Sequence, residues 1–150
     1  MELNLRMAGE GDVPALVEFN LAMALESEGL RLSEETLTAG VRRLMADPRY
    51  GFYVVAEEGA ETVGSLMITY EWSDWRDGLF WWVQSVYVRP EYRRRGVYSR
   101  LYKFAKSLAA GDGRVRGFRL YVERENAVAR RTYERLGMSE SHYRMYEELL

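Results

Sequence analysis

The densest chemical signal in the chain is Arg93-Arg94-Arg95-Gly96, set between V-Q-S-V-Y-V-R-P-E-Y and V-Y-S-R-L-Y-K-F-A-K-S-L-A-A. The upstream stretch reads as a strand. The downstream stretch reads as a helix with Val97, Leu101, Phe104, Ala105 and Leu108 on one face. The opening turn of a helix has N–H groups without an acceptor inside the helix, and its dipole favours negative charge. Gly96 has no side chain and lets backbone approach a ligand closely. The chemistry this implies is anion binding, most simply of a phosphate or pyrophosphate. The loop has neither the G-K-[ST] of a Walker A sequence nor the G-x-G-x-x-G of a dinucleotide fingerprint.

A second stretch, E-W-S-D-W-R-D-G-L-F-W-W, holds all four tryptophans between residues 72 and 82. Trp72 and Trp75 interleave with Glu71, Asp74 and Asp77, and aromatic faces beside carboxylates suit a cationic ligand. Trp81 and Trp82 serve equally well as core filling. Glu26 and Glu28 fall near the end of an expected helix, where acids oppose the dipole. A solvated loop or a role at a site accounts for them.

The elements that must position these residues follow from periodicity. Leu3, Leu5 and Met7 alternate with Asn4 and Arg6, as in a half-buried strand. Asp12 is an N-cap candidate before Pro14 and opens a helix to about Leu25, carried by Val13, Leu16, Val17, Leu21 and Ala24. Ser33 opens a second, carried by Leu37, Val41, Leu44 and Met45 and stopped near Asp47-Pro48. Phe52–Glu57 and Thr62–Trp72 read as a hairpin about Glu58-Gly59, and E-W-S-D-W-R-D-G as a polar loop. Leu79–Val88 is apolar on both faces, which predicts a central strand. The helix from Gly96 reaches about Ala110, and Gly117–Glu123 forms another strand. A last helix begins near Asn126, is marked by Ala129, Thr132, Tyr133 and Leu136, and ends at Gly137. S-H-Y-R-M-Y-E-E-L-L is expected to close the sheet. The order is β-α-α-β-β-β-α-β-α-β, one mixed α/β domain over residues 1–150.

The bulk composition excludes several classes. A net charge of −2 makes the basic character near residue 93 local and argues against nucleic-acid binding. The absence of cysteine rules out disulfides, a thiolate nucleophile and thiolate metal ligands, and no metal is expected. No apolar run has the length of a membrane span, and M-E-L-N-L-R lacks a signal-peptide pattern, so a cytoplasmic protein without membrane partners is expected.

V-Y-V-R-P-E-Y-R-R-R-G-V-Y resembles the acetyl-CoA signature of the GNAT N-acetyltransferase superfamily, [RQ]-x-x-G-x-[GA] after a strand, on Arg93, Arg94, Arg95, Gly96, Val97 and Tyr98. Tyr98 stands where the family has glycine or alanine, so its side chain must be aimed away from the pyrophosphate. About thirty residues on, E-N-A-V-A-R-R-T-Y-E-R-L-G-M resembles the family's N-x-x-A-x-x-x-Y-x-x-x-G, with Asn126, Ala129, Tyr133 and Gly137 in register. The matching order of elements covers nearly the whole chain. The resemblance implies a single-domain mixed sheet of about six or seven strands with four helices. It implies that backbone groups of Val86, Tyr87 and Val88 pair with the pantetheine arm of acetyl-CoA, and that N–H groups from Arg94 to Ser99 hold the pyrophosphate. Asn126 would bond the pantetheine or acetyl end, and Tyr133 would protonate the leaving thiolate. From the residues alone, Asn126 is equally an ordinary helix N-cap and Tyr133 a packed aromatic.

In that family an amine attacks the thioester directly, so a proton must leave an ammonium with a pKa near about 10. Relatives often place Glu or His on the central strand, where this chain has Trp82 and Gln84. Gln84 would position a water that passes the proton to Glu26, Glu28, Glu71 or Asp74; His142 is expected to be structural or exposed. Glu26, Glu28, Glu71, Trp72, Asp74, Trp75 and Trp82 together suggest a small cationic amine or polyamine as acceptor, resembling the spermidine/spermine acetyltransferase branch. The Glu common in that branch is missing at Gln84. Two alternatives stay open: a protein or peptide N-acetyltransferase, and a non-catalytic acyl-CoA-binding regulator. A homodimer is the family's common habit.

Overall fold

The apolar alternation of the first two-thirds of the chain is realised as paired strands in the computed structural model, which describes residues 1–150. The elements are β1 (Asn4–Met7), α1 (Val13–Glu28), α2 (Glu34–Ala46), β2 (Gly51–Glu58), β3 (Glu61–Ser73), β4 (Gly78–Val88), α3 (Val97–Asp112), β5 (Val115–Arg119) and α4 (Ala127–Arg135). Single 3-10 turns lie at Glu10–Asp12, Asp74–Arg76 and Pro90–Tyr92. The chain divides into two compact units, Met1–Leu120 and Tyr121–Leu150.

The first unit is a five-stranded sheet in the order β1-β2-β3-β4-β5. The first three junctions are antiparallel, and β5 joins β4 in parallel after α3. Pleating sends alternate residues to opposite faces. On one face Tyr53, Val55 and Met67 pack against Val13, Leu16 and Val17 of α1 and Val41 of α2. On the other, Val97 and Leu101 of α3 lie against Gly64, and Phe118 of β5 bridges Tyr102 and Trp81 with ring centroids 5.4 and 6.0 Å apart.

The helix boundaries follow local chemistry. Ser33 Oγ accepts from Thr36 N at 3.2 Å and caps α2. The first helix runs past Leu25 to Glu28 and ends in Gly29, at φ +64°, with Leu30 N bonded to Ala24 O at 3.1 Å. That C-cap needs a left-handed residue, which glycine supplies without strain. Asp12 departs from its expected role. Its carboxylate does not cap α1 but accepts from Gly9 N at 2.7 Å and from two Arg6 nitrogens at 2.7 and 2.8 Å, while Arg6 Nε also bonds Glu57 at 2.8 Å.

The Arg6 hydrogen bond holds the Asp12 carboxyl below the usual carboxylate range, with burial opposing and the Gly9 N–H assisting. A carboxyl lowered in the folded state stabilises the fold above its unfolded pKa of about 3.9, and that contribution drains away as pH falls through the folded value. Asp12→Asn is therefore expected to cost about 1–3 kcal/mol at neutral pH, and the gap from wild type to shrink towards about pH 3. Urea unfolding of both proteins across that range checks it; a gap independent of pH would assign the loss to packing.

Three sequence expectations are corrected. The sheet has five strands, not six or seven, because residues 139–150 form no strand. Its last strand, β5, ends at Arg119 rather than Glu123. Alternation marks residues that suit a pleated surface, but a strand exists only where a neighbour pairs with it. E-W-S-D-W-R-D-G is not a polar loop. Glu71, Trp72 and Ser73 belong to β3 and pair with Phe80, Leu79 and Gly78 across a tight turn, in which Asp77 takes φ +48°.

In the second unit, Asn126 Oδ1 accepts from Ala129 N at 3.1 Å and caps α4. Gly137 takes φ +99° after the helix, and Met138 N bonds Tyr133 O at 3.0 Å. No helix of the structure is long and apolar enough to cross a membrane.

Candidate functional site

The central strand is irregular at the point that matters most. Ser65 lies opposite Tyr87 and Met67 opposite Gln84, so β4 spends three steps where β3 spends two. That is a β-bulge, and Ser85 absorbs it at φ +50°. One extra residue exchanges the faces of everything beyond it. Gln84, three positions before Tyr87, therefore shares with it the face covered by α1. Tyr87 packs on Phe19 of α1 with ring centroids 5.0 Å apart and donates its hydroxyl to Glu26 at 3.2 Å.

The other edge of β4 opens at the same level. The register with β5 runs from Leu79↔Val115 to Trp82↔Arg119 and stops. From Val83 to Val88 no strand lies along that edge, so an extended ligand can pair there as a strand would. Val86, Tyr87 and Val88 lie on this stretch.

Beyond it the chain turns into the arginine loop. Arg89 N bonds Val63 O at 2.8 Å, Pro90–Tyr92 makes a 3-10 turn, and Arg94 and Gly96 take φ +62° and +78°. Gly96 is the N-cap of α3, whose first helical bond runs from Arg100 N to Gly96 O at 3.1 Å. Helix geometry leaves the first-turn N–H groups, at Val97, Tyr98 and Ser99, without acceptors inside the helix. A Cβ at Gly96 would meet nothing within 4 Å, so the approach to this backbone is open. Val97 is buried and anchors the turn. The Tyr98 ring stacks on Tyr102 at 6.1 Å and 8°, one turn along the helix, which lays it against the body of α3.

The arginine side chains do less for this anion site than their number suggests. Arg93 bonds Glu26 and Val88 O, both at 2.8 Å, and lies 5.3 Å from the Tyr87 ring centre. Arg95 sits over the Tyr92 ring at 5.3 Å. The features that suit an anion here are the first-turn N–H groups of Val97, Tyr98 and Ser99 and the helix dipole.

The acids and tryptophans singled out in the sequence are not gathered at one point. Thr69↔Trp82 and Glu71↔Phe80 share the face of Met67 and Gln84. There Glu71 accepts from Trp82 Nε1 at 2.8 Å and from Arg119 Nη1 at 2.9 Å, and Arg119 lies 3.7 Å from the Phe80 ring centre. Burial pushes the Glu71 carboxyl up, but the Trp82 and Arg119 bonds outweigh it and hold it below the usual range. Trp72 points to the opposite face and is 60% exposed, and Trp75 in the turn is 86% exposed. Glu28 and Asp74 are exposed, and Glu26 is held by Arg93 and Tyr87. Sequence reasoning missed Arg119 and Phe80. Only the strand register shows that Arg119 closes the parallel pairing beside Trp82.

In the second unit, the Asn126 side-chain oxygen is engaged in its cap. Tyr133 is half-buried on α4, and burial pushes its phenol up. His142 is exposed, its ring 4.2 Å from that of Tyr143.

A central strand that bulges and parts from its parallel neighbour, followed by a glycine-led helix N-terminus, suits an extended ligand that ends in a phosphate. Residues 19–138 match the sequence model of the acetyltransferase (GNAT) family; the chain belongs to that family and is an acetyl-CoA-dependent acetyltransferase. A crystal structure described as a possible acetyltransferase from Clostridium difficile 630 is 43% identical and superposes with a TM-score of 0.91 over 100% of this chain and 99% of the other. An integron cassette protein from the mobile metagenome of Cole Harbour Salt Marsh is 27% identical, with a TM-score of 0.86 over 97% and 90% of the two chains. The fold also recurs in the aminoglycoside N-acetyltransferase AAC(6')-Iy bound to the bisubstrate analog CoA-S-monomethyl-acetylneamine, at 14% identity, a TM-score of 0.80 and coverage of 100% and 99%. None of the curated proteins compared with the chain matches it.

Proposed function

We propose that the protein moves the acetyl group of acetyl-CoA directly to the amine of a small cationic acceptor. The observation that carries this reading is the open edge of β4 from Val83 to Val88, running into the backbone donors that begin α3. Val86, Tyr87 and Val88 suit the amide-bearing pantetheine arm, and the N–H groups of residues 94–99 suit the pyrophosphate. Bound there, acetyl-CoA supplies a thioester carbonyl open to attack by nitrogen.

The protein's own task is proton management. The acceptor arrives as an ammonium and must lose a proton before its nitrogen can form the new C–N bond. Gln84, on the α1 face of β4 just before the bulge, holds the water that takes that proton. Glu26 and Glu71 are already ion-paired, with Arg93 and Arg119, so the proton passes through the water to solvent rather than resting on either. As the C–S bond breaks, Tyr133 gives its phenolic proton to the sulfur and is reprotonated from solvent. The acceptor lies on the α1 face beside Trp82, and a small amine is favoured by the kinship of fold with an enzyme carrying a CoA–aminoglycoside analog.

Mixing the protein with acetyl-CoA and a panel of polyamines, monoamines, aminoglycosides and peptides, and following free thiol release, tests this. Release with small amines in preference to peptides is the expected result. Release confined to peptides would make the acceptor a protein, and binding of acetyl-CoA without release would make the chain a regulator.

A further inference from the structure

Glu26 has both carboxylate oxygens committed. Oε2 takes Arg93 Nη2 at 2.8 Å and Oε1 takes the Tyr87 hydroxyl at 3.2 Å, while the Arg93 guanidinium lies 5.3 Å from the Tyr87 ring centre. Arg93 Nε also donates to Val88 O at 2.8 Å. The three side chains form a closed ring joining the end of α1, the strand just past the bulge, and the entry to the arginine loop. Resting on the acetyl-CoA reading above, we infer that this ring couples the loop to α1 and makes Glu26 a positioning residue of the acetyl-CoA site, not a counter-ion for the acceptor.

The loop needs such a hold. Arg94 at φ +62° and Gly96 at φ +78° place two left-handed residues within three positions, and a non-glycine residue persists there only when its surroundings fix it. Arg93, itself extended at φ −70°, leads into this conformation, and its guanidinium is tied through Nε to Val88 O and through Nη2 to Glu26. The ring also explains why an acid sits in the last turn of α1, where the dipole disfavours it: the Arg93 charge compensates. A natural control lies one step away. Arg89 bonds Glu18 of the same helix at 3.1 Å and rests over Phe19 at 5.0 Å, but leads into Pro90 and a 3-10 turn rather than into the left-handed residues.

The test is calorimetric titration of CoA into the full chain carrying Glu26→Gln, Arg93→Lys, both, or Glu18→Gln. Each change in the ring is expected to weaken CoA binding about threefold to fivefold, with the double variant no weaker than the worse single. Glu18→Gln is expected to lower thermal stability comparably and leave CoA affinity at the wild-type value. In steady state Glu26→Gln raises KM for acetyl-CoA and leaves KM for the amine unchanged. The inference is overturned by Glu26→Gln that raises only the amine KM, by additive losses in the double variant, or by Glu18→Gln weakening CoA equally. Wild-type protein that does not bind CoA would end both this inference and the acetyl-CoA reading, whereas CoA binding without amine turnover would end only the enzymatic part.

Discussion

Gly96→Asp is expected to abolish measurable CoA binding while leaving the chain folded. The position is a left-handed N-cap at φ +78°, and a Cβ there meets nothing within 4 Å. Among non-glycine residues, Asp and Asn tolerate that conformation best. A carboxylate at a helix N-terminus is favoured by the dipole, which offsets part of the left-handed strain, so stability should fall by no more than about 2 kcal/mol. The same side chain competes for the donors proposed for the pyrophosphate and sets a like charge against it. Lost charge-assisted bonds and added repulsion together should cost at least about 100-fold in affinity. Gly96→Asn, of equal size but uncharged, should lose only about tenfold, which separates charge from bulk. Calorimetry with CoA, beside a melting curve for each variant, decides it. A Gly96→Asp protein that binds CoA like wild type would show that the pyrophosphate lies elsewhere.

What could be read from residue types turns on whether the determining chemistry is local. Ser33 capping α2, Gly137 following its helix, and the helix after Gly96 are each decided within a few residues. The loop from Arg93 to Ser99 was legible for the same reason. The bulge was not. Ser85 carries φ +50° without a glycine to mark it, and a period-two reading runs straight through, putting Val86 where Tyr87 belongs. One unmarked residue thus set the face of Tyr87 and hid its bond to Glu26.

The acceptor side was obscured by long-range pairing. Glu71 looked like a cation ligand because its partner Arg119 is 48 residues away, and only the register of β3, β4 and β5 brings them together. Trp72 and Trp75 looked like one cage with Glu71, but pleating sends Trp72 to the opposite face and leaves Trp75 in the turn. The closing strand failed differently: residues 139–150 carry aromatic and apolar side chains but pair with no strand. Composition states what a segment tolerates, and pairing decides what it becomes.

Tyr133→Phe is expected to slow acetyl transfer by about 100-fold or more without changing the affinity for acetyl-CoA by more than about twofold. The substitution removes one hydroxyl from a half-buried ring, so the packing of α4 should survive. In the mechanism proposed above, the group removed is the proton donor to the departing sulfur. Burial pushes the Tyr133 phenol above its ordinary value near about 10, so the group stays protonated through the neutral range. A free thiol titrates near about 8.5, so a thiolate formed at neutral pH is a weaker leaving group than the thiol it becomes on protonation. A general acid that stays protonated lowers the barrier most where solvent protons are scarcest. The rate deficit of the variant should therefore widen as pH rises from about 7 to about 9, because wild type keeps its acid over that range while the variant depends on solvent. Initial rates of thiol release against pH, with acetyl-CoA saturating, measure both the size and the slope of the effect. Full activity in Tyr133→Phe at every pH would remove Tyr133 from the chemistry and leave the half-buried ring a packing role alone.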